Sequence, residues 1–183
     1  MWLQENTPAI ISAFLSGLRP EEIIPKLDSL SFKLPQEVHD LYCWHNGTGS
    51  EQGLFVYHSF MPLDAALEYS EFLNSEDLVQ NRHREGEPMY LFPIFDFEGE
   101  YFAVVGSDTV METAPVYHIS DCLDCRLAFN SLSTMMLTIA EAYEAGAYTS
   151  NSEVGVEWED TRLFEEIRSR YNPGTTESLY HYS

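Results

Sequence analysis

Cys122 and Cys125 enclose two residues, Leu123 and Asp124, and His118 lies just upstream. That is half of a zinc knuckle, with two thiolates brought onto one ion by a tight turn and an imidazole nearby. A structural zinc site needs four ligands, and no second matching pair follows. The spacing therefore reads as two ordinary thiols, and no surrounding βαβ pattern supports a redox role for them. Cys43 is flanked by His39 and His45, and on one helix His39 can approach the thiol as a base would. A nucleophile also needs a group to orient that imidazole and donors for an oxyanion, and the sequence offers neither. No glycine-rich run precedes a helix, so phosphate-binding loops are missing. The residues give no catalytic, metal or cofactor site, and the chain reads as no enzyme.

The chemistry that remains is charge. Thirty Asp and Glu against nine Lys and Arg give a formal net charge of −21. Such a surface repels nucleic acid and anionic membranes and steers basic partners toward itself. Asp64, Glu68 and Glu71 share one face at helical spacing, Glu76 and Asp77 adjoin them, and Glu157, Glu159, Asp160, Glu165 and Glu166 form a later group. Each group alone reads as a solvated helix face; together they suit a basic protein. Tyr57, Tyr69 and Tyr101 are the candidates for apolar contacts at the centre of such an interface.

These side chains must be held by a folded core. Hydrophobic residues make up 44% of the 183, aromatics 14%, which suffices for one domain spanning the whole chain. The odd cysteine number, three, argues against a disulfide framework, and no signal peptide or membrane-length apolar run is read, which points to the cytoplasm.

Thr7-Pro8 opens an apolar helical row through Leu18, ended by Gly17 and Pro20. A short helix follows over residues 21–24, interrupted at Pro25, with a resumption to Leu30 left open. The best-punctuated helix runs from Leu34-Pro35 to a left-handed stop at Asn46-Gly47. Residues 54–60 read as a strand, Pro62 starts a helix, and residues 74–88 read as a loop with some helix. Residues 89–97 and 100–106 form the clearest hairpin, with Pro93 confined to an edge or bulge because it cannot donate to a ladder. A strand at 115–119 precedes a helix capped by Asn130 or Ser131 and stopped by Gly146. One more helix spans about 160–171. Helices, an antiparallel meander and helices again make an α+β domain.

The order of these pieces resembles the SUKH superfamily. The resemblance is carried by Glu21-Glu22-Ile23, by Leu34-Pro35-Gln36-Glu37-Val38 leading into Leu41-Tyr42-Cys43-Trp44-His45-Asn46-Gly47, by Leu91-Phe92-Pro93-Ile94, by the turn from Asp96 to Tyr101, and by a closing helix before Gly146. It covers about 21–146 and leaves an acidic helical extension over 147–183. The resemblance implies a mainly antiparallel sheet flanked by helices, and protein binding without catalysis. Its commonest form would be an immunity protein that neutralises a bacterial toxin, here a basic, nuclease-type one; other relatives act as regulatory or scaffolding modules. A metal-dependent enzyme is the remaining, weaker alternative. Leu34, Pro35, Trp44, Asn46, Gly47, Phe92 and Pro93 read physically as scaffold: a helix start at Pro35, a position open to positive φ at Gly47, and in Trp44 a large body for the core or a groove wall.

Overall fold

The computed structural model describes residues 8–49, 53–54, 57–80, 82–84, 86–151, 155–158, 160–175 and 179. Within them the chain runs α1 (Pro8–Ala13), β1 (Phe14–Ser16), α2 (Pro20–Leu27), α3 (Gln36–Trp44), β2 (His45–Thr48), β3 (Ser59–Phe60), α4 (Leu63–Leu73), α5 (Glu76–Val79), β4 (His83–Arg84), β5 (Glu87–Pro88), β6 (Leu91–Phe97), β7 (Glu100–Val105), β8 (Val116–Ile119), β9 (Cys125–Phe129), α6 (Leu132–Glu144), β10 (Tyr148–Asn151), β11 (Gly155–Trp158) and α7 (Thr161–Tyr171). Strands β3-β6-β7-β8-β9 form one antiparallel sheet, and β1-β2, β4-β5 and β10-β11 are separate two-stranded ones. This is the expected α+β arrangement.

The hairpin β6–β7 closes through Glu98 (φ 48°) and Gly99 (φ 92°), two positive-φ residues that match the twist of the flanking strands. Pro93 sits where the register slips, between Pro93 and Phe95, so the bulge absorbs its missing N–H as its type demands. Beyond the bulge, Phe60, Phe95, Phe102 and His118 are direct partners in a row across four strands. Tyr42 of α3 packs on Phe60 and Phe92, so α3 covers the face bearing that row. On the opposite face Tyr69 of α4 meets Tyr101. Leu34, Phe92 and Pro93 are buried.

Glu37, in the first turn of α3, ties that helix to the start of α6. Its carboxylate accepts from the backbone N–H of Ala114, Leu132 and Ser133 and from the Ser133 hydroxyl, at 2.9–3.2 Å. Leu132 and Ser133 open α6, whose first-turn donors have no partner within the helix. Ser131 supplies the local cap by accepting from Thr134 N–H.

The structure corrects several expected boundaries. The N-terminal row is a helix only to Ala13; Phe14–Ser16 is a strand whose partner is β2. Gly17 makes that approach possible, since a Cβ there would lie 2.0 Å from the Cys43 carbonyl oxygen. Likewise α3 ends at Trp44 and Asn46-Gly47 lies in β2, so Gly47 keeps its positive φ (86°) as a strand residue and not as a helix stop. Pro25 does not interrupt α2, which runs through it to Leu27. The strand expected over 54–60 is seen only as Ser59–Phe60, part of the remainder lying outside the described residues, as does the Thr7 cap. The stretch 74–88 holds α5 and the β4–β5 hairpin, while β9 and the β10–β11 hairpin add strands that no local pattern announced.

The C-terminal segment is not a solvated tail among its described residues. Phe164 and Ile167 of α7 are fully buried, and α7 packs along α6. Arg168 is buried too, pairing with Glu165 at 2.7 Å and donating to the Ala128 carbonyl at 3.0 Å. Asn172 bridges Asn130 N–H and the Thr138 hydroxyl.

Candidate protein-binding site

Helix α4 is pinned at both ends by asparagines. Asn46 Oδ1 accepts from Leu63 N–H at 2.9 Å, satisfying a first-turn donor that the helix cannot serve itself. Gly47 beside it passes so close to Met61 and Pro62 that a Cβ would lie 2.5 Å from Pro62 N. At the other end Asn74 exchanges hydrogen bonds with Leu91, donating to its carbonyl at 2.7 Å and accepting from its N–H at 2.9 Å. Leu63, Ala66, Ser70 and Leu73 face the sheet.

What α4 shows to solvent falls into two neighbouring stripes. Asp64, Glu68 and Glu71, all exposed, form the acidic one, with Asp64 paired to Lys26. Ala65, Tyr69 and Phe72, at spacings of four and three, form an apolar one; Tyr69 is 41% exposed and Phe72 54%. Tyr69 leans on Tyr101, ring centroids 5.6 Å apart, and Tyr101 is buried, so it supports Tyr69 from beneath. Next to this pair opens a groove of about 370 Å³ lined by Gly49, Ser59, Met61, Ala65, Tyr69 and Asp96. Burial raises the Asp96 carboxyl above its ordinary range, opposed by a hydrogen bond from the Gly99 backbone. Burial, then the Asp96 and Tyr69 groups, raises the Tyr101 hydroxyl. An acid between tyrosine walls is the chemistry that receives a lysine or arginine side chain.

The other sequence candidates lie elsewhere. Tyr57 is 37% exposed but packs against Phe97, on the opposite face of the sheet from Asp96 and Tyr101. Asp160 caps α7 by accepting from Leu163 N–H at 2.9 Å. Glu157 belongs to β11, and Glu159 lies outside the described residues. Trp44 is not core: it is 45% exposed and packs against Phe14 and His45. Sequence reasoning missed Phe72, whose spacing from Tyr69 was the available signal, and Asp96, which only strand register places beneath α4.

The thiols do not assemble a site. Cys122 is exposed and a hydrogen bond to Asp121 raises it; Cys125 is raised by burial, opposed by Arg82. Neither is an activated thiolate. His45 Nδ1 is engaged with the Leu15 carbonyl at 2.8 Å, away from Cys43. His118 instead bonds Glu100 at 3.2 Å and lies with His58. Burial lowers the His118 imidazole, with Glu100 opposing and Arg126 adding to the fall.

The family model of the SMI1 / KNR4 family (SUKH-1) matches residues 17–138, more than half of the 183-residue chain. The chain belongs to the SMI1 / KNR4 family. No curated protein matches it. Membership agrees with an immunity-like or regulatory protein-binding module, and no helix among the described residues is long and apolar enough to cross a membrane. The family match contains Glu37, Asn46, Gly47 and all of α4. In this SUKH-1 chain the Leu-Pro helix and its Asn-Gly follow-on therefore serve a concrete structural purpose, which is to hold the starts of α6 and α4.

Proposed function

We propose that the protein is a non-enzymatic binding module that captures a basic protein partner on α4 and the adjoining groove, in the form of an immunity protein neutralising a cationic, nuclease-type toxin. The observation that carries this reading is the exposed Tyr69 backed by Tyr101, beside Asp96 and bordered by the Asp64, Glu68 and Glu71 stripe. An aromatic anchor in a pocket with an acidic rim is the anatomy of an interface hot spot for a Lys- or Arg-bearing partner. Family membership and the net charge of −21 support it. The rigid seating of α4 favours tight capture, since little ordering is left to occur on binding.

The test uses the basic product of a neighbouring reading frame as the partner. Tyr69→Ala is expected to weaken its binding by about 2 kcal/mol or more, mostly through faster dissociation, while Tyr57→Ala on the opposite face leaves it unchanged. Equal effects of the two substitutions would remove α4 from the interface. Many weak partners and no toxin would leave a regulatory scaffold as the function.

A further inference from the structure

His58, Glu100 and His118 come from three separate parts of the chain, and their ligating atoms lie within 4.8 Å of one another. Strand register brings them together. Glu100 and Phe102 alternate onto one face of β7, His118 is the direct partner of Phe102, and His58 immediately precedes β3, whose Ser59 pairs with Asp96. Phe102 serves as a common wall for both imidazoles, its ring centroid 4.7 Å from that of His58 and 5.1 Å from that of His118. His58 is 1% exposed, whereas the Glu100 side chain is 39% exposed, so the cluster is walled on one side and open at the carboxylate.

From this geometry we infer a site for one divalent transition-metal ion of the zinc class, held by His58, Glu100 and His118. Zinc–nitrogen and zinc–oxygen bonds of about 2.0–2.2 Å place two ligands of a tetrahedral ion about 3.4 Å apart. His118 Nε2 and Glu100 Oε2 already stand 3.2 Å apart. Two imidazoles and one carboxylate suit zinc, cobalt or nickel rather than calcium or magnesium, which prefer all-oxygen cages. Three protein ligands leave a fourth position, on the Glu100 side, for water or an outside donor. The negative field of the chain concentrates cations at that opening. An ion there clips the segment before β3 to β7 and β8.

The experiment is titration of the purified, chelator-treated full chain with cobalt(II), followed by displacement with zinc. One equivalent is expected to bind with the d–d absorption of a nitrogen–oxygen site and no thiolate charge-transfer band. Glu100→Gln and His118→Gln should each weaken zinc binding at least about tenfold and abolish the zinc-induced rise in Tm. Cys122→Ser with Cys125→Ser should leave both unchanged. Because His58 is buried and its variants can misfold, the part-exposed Glu100→Gln, checked by circular dichroism, keeps the test decisive. Absence of saturable binding, affinity indifferent to Glu100→Gln and His118→Gln, or loss of binding in the cysteine variant would each overturn the site.

Discussion

Asp96 holds a carboxylate where burial disfavours the charge, and that has a measurable cost. With the folded-state pKa above the unfolded one, its contribution to stability is fully present below the ordinary carboxylate range and is lost as pH rises through the folded value. At neutral pH the charge therefore opposes folding, an effect that water reduces by screening the half-buried group. Asp96→Asn is expected to raise the thermal midpoint at pH 7, with the gain vanishing near pH 4, measured by thermal unfolding of both proteins across that range. A gain that persists in acid would show that the effect is packing and not charge. Single residues also show where sequence reading stops. Asn46-Gly47 was legible as a place where φ turns positive, and it does. What it serves was not: the Asn46 side chain reaches Leu63, and no local pattern encodes a cap for another helix.

At the scale of elements, strong local signals survived and weak ones yielded to pairing. The β6–β7 hairpin, α4, α6 and α7 were legible because apolar runs around a turn, a proline start, a Ser131 cap or an apolar helical row agreed with the burial. The row from Ile10 to Leu18 has helical spacing, yet its second half became β1, because β2 offers it backbone partners and Gly17 admits the approach. The apolar row of α7 was legible at helical spacing, but its seat on α6 was not, because spacing along one helix does not name the element it packs against. Glu37 joins two of these elements, and its loss belongs at this scale. Glu37→Ala leaves three backbone donors without their acceptor and is expected to cost about 3 kcal/mol, lowering Tm by about 6–12 °C. Glu37→Gln, which keeps one carbonyl acceptor, should cost clearly less. Equal losses for Gln and Ala in thermal melts would mean that the carboxylate does not cap α6.

For the whole molecule the dominant property is the field of a −21 chain. Raising ionic strength from about 0.01 M to about 0.15 M shortens the screening length from about 30 Å to about 8 Å. Association with a basic partner is expected to slow about ten- to hundredfold over that range, while dissociation changes little, as read by stopped-flow fluorescence. A salt-indifferent association rate would leave the acidity to solubility alone. The charge and the α4 face were legible from composition and spacing, but the pairing of Tyr69 with Tyr101 and the His58, Glu100 and His118 cluster were not. The first is made by packing a helix on the sheet and the second by strand register, both across residues far apart in the chain, which periodicity does not report.

The Glu37 bridge to Ser133 joins residues 96 positions apart. A contact of that span is slow to find, because a long loop must first be closed. On the ribosome, α3 emerges long before the donors it will serve, and its carboxylate stays hydrated until α6 arrives. A bridge closed that late is expected to set how slowly the finished protein comes apart, so Glu37→Ala should speed unfolding more than it slows folding in stopped-flow measurements.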